Sequence, residues 1–110
     1  MRQIPLSPIP AQTLQVVLSG RYCTISLYWR QSRLYLDLSA GGAVICQGAI
    51  CQNRADVLQS KHPDFSGALH FYDLQGDRPP GWEGLHNGSS GRWMLLYAEE
   101  GEVLPEVLRY

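Results

Sequence analysis

Apolar residues in this chain recur at every second position, in short segments closed by turn-forming residues, and nowhere hold helical spacing for more than a turn or two. Leu14, Val16 and Leu18 alternate with Gln15 before Gly20. In the next segment Cys23, Ile25, Leu27 and Trp29 share one face, and Tyr22, Thr24, Ser26 and Tyr28 share the other. Arg30-Gln31-Ser32 turns the chain, Leu34, Leu36 and Leu38 alternate with Tyr35, Asp37 and Ser39, and Gly41-Gly42 turns it again into a strand from Ala43 to about Gly48. Two further strands are expected, Ala68 to Leu74 and Arg92 to Ala98, separated by the turn-rich Gln75 to Gly81 and the Gly- and Ser-rich Gly84 to Gly91. Ile50 to Phe65 is less regular and reads as a connection with at most one helical turn or a short strand, anchored by Val57-Leu58. The pattern is that of an all-β fold, a small antiparallel β-barrel or sandwich built from meandering hairpins.

The two ends differ from this core. Pro5, Pro8 and Pro10 fix the backbone and remove amide donors, which makes residues 1–12 an extended arm, ahead of a β-barrel core at 13–98. Residues 99–110 form a C-terminal extension with Val103-Leu104 and Val107-Leu108 on either side of Pro105, as a short edge strand or a second arm. The 110 residues make one domain, long enough for a single core without disulfides. Ile4, Leu6 and Ile9 are too apolar for a solvated tail, and two placements stay open: across the domain's own core edge, or on a neighbouring subunit. No run approaches the length of a membrane-spanning helix, and Met1-Arg2-Gln3-Ile4-Pro5 lacks the apolar stretch of a signal peptide, so a non-exported chain is expected. Cys23, Cys46 and Cys51 are an odd number, which suits reduced thiols, with one Cys46–Cys51 bridge left open.

Candidate chemistry fails on spacing. His62, His70 and His86 come from three separate segments, and Cys46 and Cys51 have no second pair to complete a tetrahedral metal site. Asp73, Asp77 and Glu83 flank one turn and are read as turn-bracketing residues rather than paired catalytic carboxylates. Gly81, Gly84, Gly88 and Gly91 precede no Gly-Lys-Ser/Thr, and no helix is expected to start there. Asn87-Gly88-Ser89 matches a glycosylation sequon at chance level. No enzyme activity, cofactor or metal is therefore expected. Tyr22, Tyr28, Phe71 and Tyr72 could stack bases as an oligonucleotide-binding barrel does, but ten acids face nine cations and the net charge is -1, without a basic groove. A generic barrel binding an oligonucleotide or small ligand is the alternative reading.

The surplus of apolar residues points instead to covered surfaces. Tyr22, Tyr28, Tyr35 and Tyr72 stand opposite the aliphatic faces, where aromatic rings with a polar tip either cover strand ends or form an interface. With Ile4, Pro5, Leu6, Pro8 and Ile9 of the first arm, and Val103, Leu104, Val107, Leu108 and Tyr110 of the last segment, they are the candidate partner-binding residues.

The order of these segments resembles a known family. Ile4-Pro5-Leu6 followed by Pro8, Pro10 and Gln12, then Arg33-Leu34-Tyr35-Leu36-Asp37-Leu38-Ser39, Gly48 to Cys51, Gly67-Ala68-Leu69, Tyr72-Asp73 and Leu95-Leu96-Tyr97, is similar to the baseplate plug domain of contractile-tailed bacteriophages, over about residues 3 to 98. The chain departs from the family at Gln52 to Asp56 and at Gly88-Ser89-Ser90-Gly91, both in loops, where change is tolerated best. The resemblance implies a non-enzymatic virion protein, made in the host cytoplasm and placed at the hub of the baseplate between the tail-tube end and the spike complex. It also implies three or six copies around the tail axis, contacting hub, spike and tube-end proteins.

Overall fold

The computed structural model describes residues 1–58 and 62–103. Its strands are β1 (Arg2–Ile4), β2 (Ala11–Leu18), β3 (Arg21–Arg30), β4 (Arg33–Ala40), β5 (Ala43–Ile50), β6 (Ala68–Asp73) and β7 (Trp93–Ala98), with one 3-10 turn at Trp82–Gly84. Three successive two-residue turns build the first sheet. Ser19-Gly20, Gln31-Ser32 and Gly41-Gly42 all hold positive φ at both positions, the mirror-image turn whose twist matches that of the strands it joins. The result is an antiparallel meander of order β2-β3-β4-β5, in register along all of β2–β3 and β3–β4 and irregular between β4 and β5 around Leu38.

The second sheet is assembled from distant parts of the chain, in the order β1-β7-β6. Arg2 lies opposite Tyr97 and Ile4 opposite Leu95, while Phe71 of β6 lies on the other side of Leu95. Alternation then gives each sheet one apolar face, and the two faces pack together as a sandwich. Leu18, Cys23, Ile25, Leu27, Leu34, Leu36 and Leu38 from the first sheet meet Ile4, Leu69, Phe71, Leu95 and Tyr97 from the second, all buried in one continuous core with Leu6, Cys51, Val57, Phe65 and Leu85. Each large side chain so buried contributes roughly 1.5–3 kcal/mol. Tyr97 also joins the sheets through its hydroxyl, which donates to the Ser66 carbonyl at 2.7 Å and accepts from the Ser19 hydroxyl at 2.6 Å. Gly67 makes room for that arrangement, since a side chain there would meet the Ala98 carbonyl and the Tyr97 ring.

Of the two all-β forms expected, barrel or sandwich, the sandwich is the one adopted, as two sheets rather than one closed barrel. The stretch 1–12 is not a single arm: Arg2–Ile4 is a strand of the second sheet, and β2 begins at Ala11. Of the two placements open for Ile4 and Leu6, the chain's own core is the one adopted, and a side chain 1% or 3% exposed is not available to a partner. The reason is strand pairing: β1 adds to β7 and carries Ile4 inward, and the Leu6 amide then donates to the His86 carbonyl at 2.9 Å. In the 51–58 connection, Asn53 and Asp56 make single bridges to Phe71 and His70 along the edge of β6.

Candidate partner-binding surface

The outward face of the four-stranded sheet can be built row by row from its register. Val17 and Tyr22 form the first row, and Gln15, Thr24, Ser39 and Val44 the second. Thr13, Ser26 and Asp37 form the third, and Ala11, Tyr28, Tyr35 and Ile50 the fourth. The middle is a band of hydroxyls, with Thr13 and Ser26 hydrogen-bonded to each other at 3.0 Å. Large apolar side chains flank the band on both sides, and beyond Tyr28 and Tyr35 the face closes with Arg30 opposite Arg33. At one end Tyr22 is 79% exposed beside Val17, which is 44% exposed, and Val44, 57% exposed, lies in the next row on β5. At the other, the Tyr28 and Tyr35 rings stack at 5.9 Å and 20°, and the Arg30 guanidinium lies 5.3 Å from the Tyr28 ring.

The stack is held from beneath. The Tyr28 hydroxyl donates to Asp37 Oδ1 at 3.1 Å, and the Gly48 amide donates to the same oxygen at 2.7 Å. Burial and the Asp37 carboxylate both push the Tyr28 phenol pKa up, so it stays neutral and the platform carries a fixed aromatic pair. Stacked pairs of this kind contribute about 0.5–1.5 kcal/mol beyond their buried area.

The remaining candidates fall elsewhere. Tyr72 belongs to the second sheet, where the Arg54 guanidinium lies 6.0 Å from its ring, so it does not join the other three tyrosines. Pro5, Pro8 and Ile9 are exposed on the link between β1 and β2. Gln12 clamps that link, accepting from the Ser7 amide and donating to its carbonyl. Val103 is 78% exposed. Leu104, Val107, Leu108 and Tyr110 lie outside the described residues. Among the described residues, five exposed large apolar residues were not among the candidates: Met1, Val17, Trp29, Val44 and Leu74, of which Val17 and Val44 lie on this face. Val17 had a signal in the sequence, the doublet Val16-Val17 breaking the alternation; Val44 had none, because the β4–β5 irregularity sets which way it points.

The chemistry-bearing residues have structural partners. Asp73 is buried and accepts from Arg92 Nε and Nη2 at 2.7 and 2.8 Å and from the Gln75 and Arg78 amides at 2.9 and 3.0 Å, so it anchors the 74–92 excursion as a turn residue would. These donors hold its carboxyl well below the usual range. His70 Nδ1 donates to the Arg54 carbonyl at 2.9 Å. His86 Nδ1 accepts from Gln3 Nε2 at 2.7 Å and from the Gly88 amide at 3.0 Å. All three cysteines are free thiols, and burial pushes each of their pKa values up, Cys51 most strongly. Among the described residues no three His, Cys, Asp or Glu side chains gather as a metal site. A single 3-10 turn at Trp82–Gly84 does begin in the Gly-rich loop, and its three residues have no anion-binding helix behind them.

Comparison with curated proteins yields no match to the chain. A family model described as the cyanophage baseplate Pam3 plug gp18 matches residues 1–100, nearly the whole length. The chain belongs to this family of phage baseplate plugs.

Proposed function

We propose that the chain is a non-enzymatic structural protein at the centre of a contractile-tail baseplate. Membership of the baseplate plug family carries this reading, and it supports a virion protein that works among other baseplate proteins. In this reading the protein is made in the host cytoplasm and sits between the tail-tube end and the spike complex. Three or six copies surround the tail axis, as rotational symmetry of a tail favours. Its mechanism is occlusion and adhesion: a stiff β-sandwich fills the end of the lumen while flat surfaces hold it to its neighbours. The outward face of β2–β5 suits that task, because Tyr22, Val17 and Val44 on one side and Tyr28, Tyr35 and Ile50 on the other bracket a hydroxyl band with Asp37 as the one acid in the four rows. Aromatic and aliphatic anchors around neutral hydrogen-bonding groups are the composition of an interface centre. Pro5, Pro8 and Ile9, and the segment from Val103 onward, are the second set of contacts proposed.

Assembly tests it. Tyr22→Arg and Tyr35→Arg, both on the outward face, are expected to leave the isolated chain folded and to lower its content in purified tail particles at least tenfold. Unchanged incorporation of both would remove this face from the contact set. Absence of the wild-type chain from particles, together with tight, salt-sensitive binding of single-stranded DNA by the isolated protein, would sink the structural reading.

A further inference from the structure

Sheets end in strands whose outer main-chain groups are unpaired, and soluble proteins protect such edges with shortness, charge, proline, bulges or a covering segment. Three of the four edges here are protected. β1 is only three residues long. β6 is covered by the bridges from Asn53 and Asp56. β5 is broken by register shifts and by Gly48 at φ 64°. Among the described residues the fourth edge, β2, has none of these features: its eight residues, Ala-Gln-Thr-Leu-Gln-Val-Val-Leu, contain no charge, proline or glycine, and its register with β3 is unbroken.

The direction of its free groups follows from two hydrogen bonds. The Trp29 amide donates to the Pro10 carbonyl, which places the even-numbered residues of β2 in the ladder with β3. Arg2 Nη1 donates to the Val17 carbonyl at 2.6 Å from the opposite side, so the odd-numbered residues point their main chain outward. Ala11, Thr13 and Gln15 therefore present a row of amide and carbonyl groups, all three residues are exposed, and Arg2 closes the row at Val17. Beside the row, on the inner face, Leu14 and Val16 pack on the core yet remain half-buried.

We propose that this edge is a docking strip for an extended, uncharged segment of a neighbouring, different baseplate protein, which adds as a fifth strand along Ala11 to Gln15. The proposal rests on the baseplate reading above. Only an extended main chain matches a row of alternating donors and acceptors at strand spacing, and only a segment without charge is accommodated beside Leu14 and Val16. A second copy of the chain is disfavoured as occupant. Its one unprotected edge among the described residues is its own β2, so pairing would need a twofold axis between the two copies, which adjacent copies in a ring of three or six do not share. Such a pair would also set Arg2 of each copy against an end of the shared ladder.

The test uses variants that touch only the outward row. Gln15→Pro removes an amide that bonds to nothing among the described residues, and Gln15→Lys places a charge on the edge. Both are expected to keep the melting temperature to within about 5 °C and to fall at least tenfold in purified tail particles. Hydrogen exchange supplies the second readout on wild type. In the isolated chain the amides of Thr13 and Gln15 exchange fast while those of Leu14 and Val16 are slow; in particles Thr13 and Gln15 slow by roughly a hundredfold. Normal incorporation of both folded variants, with fast exchange at Thr13 and Gln15 in particles, overturns the proposal and leaves the baseplate reading standing. An isolated chain that dimerises and is made monomeric by Gln15→Lys gives the edge to a second copy and also overturns it. Absence of the wild-type chain from particles overturns the baseplate reading, and this inference with it.

Discussion

Replacing Asp73 by alanine is expected to cost more than any other single change at a polar side chain of this protein. The carboxylate is fully enclosed and accepts four hydrogen bonds, two from Arg92 and one each from the Gln75 and Arg78 amides. Its removal strands two backbone amides, but Gln75 and Arg78 are exposed residues, so water reaches them and each costs well under the roughly 1–3 kcal/mol of a sealed amide. Breaking a wholly buried ion pair costs about 3–5 kcal/mol, but the Arg92 side chain is a quarter exposed and keeps part of its hydration, so the total settles at about 2–4 kcal/mol. For a chain of this size that is a fall in melting temperature of roughly 10–25 °C. Urea denaturation followed by circular dichroism measures it, and tryptophan fluorescence reports the same excursion locally, because Trp93 Nε1 donates to the Arg78 carbonyl at 3.1 Å. The pH dependence gives an independent check. The folded carboxyl titrates below its unfolded value of about 3.9, so its stabilisation is complete above about pH 5 and is lost progressively as pH falls through 4 and below. Asp56 has the opposite sign, since burial raises its pKa, and the difference between wild type and Asp73→Asn isolates the Asp73 contribution. A loss below about 1 kcal/mol for the alanine variant, or parallel stability curves for wild type and Asp73→Asn from pH 5 to 2, would refute the clamp.

Three further outcomes follow from the same packing. Gln31 and Ser32 both hold positive φ without being glycine, so replacing the pair by Asn-Gly should raise stability by about 1 kcal/mol in the same urea assay. Gly84→Ala places a methyl group against the Trp93 ring and should cost about 1–3 kcal/mol, with a shift in tryptophan emission as the ring is displaced. Because burial raises all three thiol pKa values, Cys51 should resist iodoacetamide at pH 7.5 until denaturant is added, and labelling in the native state at the wild-type melting temperature minus about 20 °C would contradict its place in the core.

The meander was legible because its signals are local. Inward and outward faces of β3 and β4 follow from alternation alone, and the three tight turns stand at Gly20, Gln31-Ser32 and Gly41-Gly42 where the apolar pattern breaks. The second sheet was not legible in full: β6 and β7 can be read as strands, but nothing near Arg2 says that it pairs with Tyr97 at the far end of the sequence. That gap left the destination of Ile4 and Leu6 open. It also concealed the separation of Tyr72 from Tyr22, Tyr28 and Tyr35, since which sheet a strand joins is a long-range choice. The outward tyrosines themselves were readable, whereas Val44 depends on a register shift that no residue type announces.

The contrast between the two sheets also orders the folding of the chain. Strands β2 to β5 are joined by two-residue turns, so each pairing closes a small loop at little entropic cost and is available as soon as those residues exist. The pairing of β1 with β7 must wait for nearly the whole polypeptide, and until then Ile4 and Leu6 have no second sheet to pack against. The N-terminal strand is thus made first, yet it has no pairing partner until β7 exists. With three residues paired on one side only, β1 is held to the second sheet by fewer main-chain bonds than β6 or β7, so its release breaks the least of that sheet.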